Sequence, residues 1–116
     1  METKPENIFA LVLISALLLA SSLAGQPVNI SQSPGWTSTY PRIVFDSAGA
    51  AYVIWVEKYS ETTGDLFYSQ LDPQTQSWST PQNVSNSSAV HCETDKTCAI
   101  AIDDEQRVYA LWAEGK

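Results

Sequence analysis

The feature that most constrains this chain is an internal repeat. Residues 41–58 read PRIVFDSAGAAYVIWVEK, and residues 98–115 read CAIAIDDEQRVYALWAEG. They align without a gap at an offset of 57, and five of the eighteen positions are identical. The identities are Ile43 with Ile100, Asp46 with Asp103, Tyr52 with Tyr109, Trp55 with Trp112 and Glu57 with Glu114. Average residue usage would give about one. Residues 27–31 also match residues 81–85, at an offset of 54. A period of this length marks repeated supersecondary units that bury their apolar faces against one another.

Each copy reads as a hairpin. Residues 42–45 are a short β-branched and aromatic run. Asp46 and Gly49 then occupy the first and fourth positions of a turn, where a type I turn favours them. Residues 51–56, rich in Val, Ile, Tyr and Trp, follow as a second strand. Ala51, Val53 and Trp55 face one way, and Tyr52, Ile54 and Val56 the other. Neither set is charged, so the strand needs cover on both faces. In the second copy Gln106 replaces Gly49, which removes the reason to expect a positive φ there. Residues 66–71 read as a third strand. Residues 77–84 read as a fourth, interrupted at Pro81 as suits an outer strand. Residues 58–65 read as a polar loop containing Gly64. No segment beyond residue 24 has a helical period. The expectation is an all-β chain of four-stranded antiparallel blades of a β-propeller. About one and a half blades are present, the first over about 27–85 and the start of the second over about 98–116. A β-sandwich of short hairpins is the alternative. Trp55 and Trp112, one per copy, are expected in the core between blades.

The N-terminus is of a different kind. Residues 8–20 are a nearly unbroken apolar run after Lys4, and Ser22 and Ala24 are small where a signal peptidase reads. Residues 1–24 are therefore expected to be a signal helix cleaved after Ala24, leaving 25–116 as the exported part, extracellular or periplasmic. An uncleaved membrane anchor is the alternative, although the run is short of the roughly 18 to 20 apolar residues of a span. In an exported chain Cys92 and Cys98 are expected to form a disulfide. So small a loop is worth about 2 kcal/mol in the chain-entropy model. Zinc held by His91, Cys92 and Cys98 would lack a fourth ligand. One cysteine pairing outside the chain is the third option. The charge of −7, with six Lys and Arg against thirteen Asp and Glu, excludes an electrostatic nucleic-acid binder and a polybasic membrane-surface protein. No metal or cofactor is implied, since the acidic residues 103–105 align with the turn at 46–48. Asn29, Asn83 and Asn86 each begin an N-x-Ser/Thr sequon.

Residues 41–46, Gly49, residues 52–55, Ser69, Asp72 and Trp78 together resemble blades of sialidase-like propellers. Those blades carry the bacterial-neuraminidase repeat, or Asp box, Ser-x-Asp-x-Gly-x-Thr-Trp. Here the Ser69–Asp72 and Asp72–Trp78 spacings are each one residue longer, and the Gly is absent. The resemblance covers residues 27–116 and implies the propeller fold; the box itself is a structural turn away from the active face. An enzyme of the family would hold its substrate carboxylate with three arginines, whose planar forks match a carboxylate. Arg42-Ile43 resembles the start of the family's Arg-Ile-Pro sequence, so Arg42 is the candidate for that contact. Arg107 falls in a turn, and no catalytic acid or nucleophile is placed.

On the propeller reading, the loops at one end bring together Trp36, Tyr40, Arg42, Tyr59 and Glu61. Trp and Tyr combine an apolar face with a polar edge, which suits a sugar or a peptide. The expected function is a secreted or cell-surface propeller repeat module, non-catalytic, that binds carbohydrate or protein or serves as a scaffold. The alternatives are an N-terminal piece of a sialidase-like glycoside hydrolase, or a truncated chain with no independent function. Further blades, from a longer chain or another chain, are expected partners. The match of residues 27–31 to the tail of an outer strand suggests that the N-terminus completes the last blade.

Overall fold

Asp46 sets the first reversal of the chain. Its Oδ1 accepts from the amides of Ala48 and Ala50, both at 2.9 Å, and Gly49 N donates to the Asp46 carbonyl at 3.2 Å. Gly49 has φ 89°, a conformation that costs glycine little. In this computed structural model, which describes residues 26–91, 94, 96 and 98–115, the turn joins β1 (Thr37–Phe45) to β2 (Ala51–Lys58). β3 (Thr63–Asp72) returns antiparallel along the whole of β2. β4 (Ser77–Trp78), β5 (Gln82–Asn83) and β6 (Val90–His91) each pair antiparallel with β3. The order β1-β2-β3-β4 makes a four-stranded meander. β7 (Cys98–Ile102) and β8 (Val108–Trp112) form a second antiparallel hairpin. The described residues are thus all-β and antiparallel, with no helix among them. The expected signal segment, residues 1–24, lies outside the described residues.

Four of the five repeat identities acquire a physical reason here. Tyr52 donates its hydroxyl to Asp46 Oδ2 at 2.9 Å, and Tyr109 does the same to Asp103 Oδ2 at 3.0 Å. Trp55 Nε1 donates to Glu57 Oε1 at 2.6 Å, and Trp112 Nε1 to Glu114 Oε1 at 2.9 Å. One pair ties each turn to its second strand, and the other ties off the far end of that strand. Asp103 also accepts from the amides of Glu105 and Arg107, as Asp46 does from the corresponding amides of its own turn.

The strands and turns differ from the sequence reading in several respects. β1 begins at Thr37, not near residue 42, and includes a bulge: Thr39 lies opposite Val56 but Arg42 opposite Ile54. Tyr40, with φ 53°, and Pro41 absorb the extra residue, and a proline with no amide hydrogen is tolerated there. The loop expected over 58–65 shrinks, because pairing continues to Lys58 opposite Gly64. The short strand β6 had no sequence signature, yet Val90 is fully buried. Gln106 keeps a positive φ of 64° without being glycine. Its side-chain Oε1 accepts from the Ser47 amide at 2.9 Å and hydroxyl at 3.3 Å, a link between the two turns that offsets the strain.

β2 is buried on both faces, as its composition requires. On one face Ile54, Val56 and Leu66, flanked by Tyr40 and Tyr68, pack against Cys98, Ile100, Ala110 and Trp112 of the second hairpin. On the other, Val53, Trp55 and Glu57 are covered by residues 28–34. Trp55 stacks on Phe67 with centroids 6.1 Å apart. Of the two tryptophans expected between repeats, only Trp112 lies there. The N-terminal segment, rather than a neighbouring repeat, covers Trp55.

Asp65 anchors the outer layer. It is only 3 % exposed. It accepts from the Ser85 hydroxyl, the Asn83 amide, the Tyr59 hydroxyl and the backbone amides of Ser87 and Ser88, at 2.7 to 3.0 Å. Burial pushes its pKa up, but the Ser85, Asn83, Ser88 and Ser87 donors outweigh it and bring the carboxyl down to about 2. The unfolded carboxyl titrates near 3.8. Asp65 therefore contributes stability that is present above about pH 4 and is lost as pH falls from there to about 2. We expect Asp65→Ala to cost roughly 3 kcal/mol in urea unfolding at neutral pH. In that variant the acid-labile part of the stability, roughly 2 kcal/mol, should vanish from the pH profile. Gly64→Ala should be comparably damaging by the same measurement, because a Cβ there meets the Glu57 carbonyl across the β2–β3 ladder.

Candidate functional site

Trp36, just before β1, and Tyr59, just after β2, meet at one end of the sheet. The Trp36 ring packs edge-on against Tyr59 with centroids 4.9 Å apart and planes at 72°. Beneath them Glu57 ends the buried part of β2. Its Oε1 accepts from Trp55 Nε1 at 2.6 Å, Ser38 Oγ at 2.8 Å and Ser33 Oγ at 2.9 Å. Its Oε2 is buried and has no hydrogen-bond partner in the protein. Trp36, Tyr59, Glu57 and Ser33, with Ser31, Gln32, Phe67 and Pro81, line a cleft of about 410 Å³.

The electrostatics are one-sided. Glu57 and Asp65 lie directly opposite each other on neighbouring strands, so two buried carboxylates share a face. Asp65 is saturated by its five donors, whereas Glu57 retains one free acceptor oxygen. Burial raises the Tyr59 phenol, and its bond to Asp65 and the charges of Asp65 and Glu57 raise it further, to about 12. Tyr59 is therefore a neutral hydroxyl donor held in place by Asp65. The cleft offers an aromatic wall over a buried carboxylate. A low-pKa acid such as Asp65 holds no proton to donate at neutral pH.

The sequence-named residues divide. Trp36 and Tyr59 come together, and Glu61 lies in an adjoining shallow cleft with both of them and Lys58. Tyr40 and Arg42 are not loop residues of that end. Both belong to β1. Tyr40 packs on the core between the repeats, and its carbonyl accepts from Cys98 Sγ at 3.6 Å. Arg42 lies opposite Ile54 on the same strand, and its charge acts on the Cys98 thiol, which burial otherwise raises. Arg107 binds Asp103 at 2.7 Å and Glu105 at 2.9 Å in its own turn. The two arginines thus do not converge. Cys98 is a buried free thiol; its expected disulfide partner, Cys92, lies outside the described residues. Among the described residues no cluster of His, Cys, Asp and Glu could hold a metal ion, and no helix is long and apolar enough to cross a membrane.

Sequence reasoning missed Glu57, Ser33 and Phe67. The repetition of Glu57 as Glu114 was the available signal, but it pointed equally to structure. A larger cleft, about 500 Å³, lies at the opposite end of the sheet between the Asp46 and Asp72 turns. There Tyr52 and turn amides occupy Asp46, and the Gln74 and Thr75 amides occupy Asp72. No family model matches this chain, nor does any curated protein or solved structure.

The Tyr59 geometry can be checked by alkaline titration at 295 nm. One tyrosine should ionise near pH 12, and Tyr59→Phe should remove that step. Asp65→Asn should move it toward the ordinary value near 10.

Proposed function

We propose that this chain is an exported, non-catalytic repeat module of the β-propeller kind, and that the Trp36–Tyr59 cleft binds carbohydrate. One observation carries the reading: an exposed tryptophan, Trp36, stands edge-on to Tyr59 at the rim of a concave cleft. Trp36 is 55 % exposed although it is a large aromatic. A sugar supplies the complement, an apolar ring face that lies on the indole with hydroxyls at its edge for the polar rim. The four-stranded meander and its face-to-face packing on the second hairpin support the propeller reading.

The sialidase-like hydrolase reading finds less support. It asks several arginines to converge on one carboxylate, and Arg42 and Arg107 do not converge. One is committed to its own turn, and the other lies between the repeats.

The test is a titration of tryptophan fluorescence with a panel of neutral and acidic oligosaccharides. Binding should be detected for at least one neutral sugar. Trp36→Ala should weaken it by at least about tenfold. The melting temperature of Trp36→Ala should stay close to that of the parent. A panel without binding, or affinity unchanged in Trp36→Ala, would refute the reading.

A further inference from the structure

The aromatic pair beside the carbohydrate cleft borders a second cleft as well. Trp36 and Tyr59 line the space of about 410 Å³ over Glu57. They also line a neighbouring space of about 440 Å³, together with Lys58, Ser60 and Glu61. The two rings, in edge contact, are therefore the wall that the clefts share. The strands fix its place. Thr37 lies opposite Lys58 in the last rung of the β1–β2 ladder, so the residues just outside that rung, Trp36 and Tyr59, are held side by side. Tyr59 is pinned further, by its hydroxyl to Asp65 and by its amide to the Thr63 carbonyl, both at 3.0 Å. The outer ends of the clefts differ. Gln32 of the N-terminal segment stands on one side, and Glu61 of the β2–β3 connection on the other; both are exposed.

An aromatic wall with a polar cleft on each side suits a chain of sugar rings, since every unit presents an apolar face and a hydroxyl edge. Charge narrows the class. Among the described residues lining the two clefts, Glu57 and Glu61 contribute carboxylates and Lys58 an ammonium, and Asp65 lies directly opposite Glu57 on the next strand. The local balance is negative. It reaches the rim, where the charges of Asp65 and Glu57 help to raise the Tyr59 phenol. Neither arginine is near: Arg42 lies opposite Ile54, and Arg107 is bound in its own turn. The carboxylate of an acidic sugar would meet like charge here. We infer that Trp36 and Tyr59 separate two adjacent sugar subsites, and that the ligand is a neutral oligosaccharide of at least two units lying across them. The inference rests on the carbohydrate reading of the first cleft; it adds the second subsite, the minimum length and the exclusion of acidic sugars. Two linked units in adjacent subsites bind far more tightly than one, because the second contact is intramolecular.

The full chain is titrated by isothermal calorimetry with cello-, malto- and N-acetylchito-oligosaccharides of increasing length from a single unit, and with oligogalacturonides of the same lengths. In the neutral series that binds, affinity should rise at least about tenfold from one unit to two. Gln32→Ala and Glu61→Ala, one in each cleft, should each weaken the disaccharide by about threefold or more. Oligogalacturonides should bind at least about tenfold more weakly than that neutral series. Both substituted positions are exposed, and near-ultraviolet circular dichroism checks that the variants are folded. Should either be misfolded, Gln32→Ser and Glu61→Gln replace them in the same design. A monosaccharide bound as tightly as the disaccharide, or a disaccharide affinity that either variant leaves unmoved, would make the first cleft a single sugar site and overturn this inference alone. Oligogalacturonides bound as tightly as neutral sugars would overturn it too. Absence of binding by every sugar would overturn both the inference and the carbohydrate reading.

Discussion

Two side-chain hydrogen bonds, each present twice, frame everything else in this structure. An aspartate that closes the turn takes the hydroxyl of a tyrosine on the second strand, and a glutamate at the end of that strand takes the indole N–H of a tryptophan. Together they fix where each hairpin starts, how far its second strand runs and which way its aromatic residues face. The two apolar faces of β2 follow from that register. So does the packing of the second hairpin on the first sheet.

The same network has different consequences in the two repeats because their surroundings differ. Glu114 is exposed and shares its Oε1 between Trp112 and Ser87. Glu57 is buried under the N-terminal segment, where Ser33 and Ser38 crowd onto one oxygen and leave the other without a donor. Repetition makes the frame; the cover laid over one copy turns a structural glutamate into the floor of a cleft. Trp55 and Trp112 divide in the same way, one under the N-terminal segment and the other between the repeats.

Much of the fold was legible in the residues. The Asp46 turn, the two-faced strand β2, the broken outer strand around Pro81 and the hairpin over 98–112 all rest on local chemistry, which a sequence displays directly. Other features depend on contacts distant in the chain. Gln106 holds a positive φ through its bond to Ser47, 59 residues away. β6 is two residues long, and its pairing with β3 and burial of Val90 have no local signature. The propeller reading places Tyr40 and Arg42 at the loop entering the strand over 42–45, whereas β1 begins at Thr37 and takes in Tyr40 and Pro41 as a bulge. The candidate site was half legible. Exposed aromatics near strand ends pointed to Trp36 and Tyr59, but nothing in the sequence separates the satisfied carboxylate of Asp65 from the unsatisfied one of Glu57.

By itself the sequence determined the repeat, the all-β antiparallel class and the apolar faces of β2, because periodicity and turn chemistry act between neighbours. Only the tertiary structure decided which faces are covered, which carboxylate has a free oxygen and which aromatics stand open. Those properties depend on how distant segments pack and how many donors each buried group collects, and the identity of a residue does not contain them.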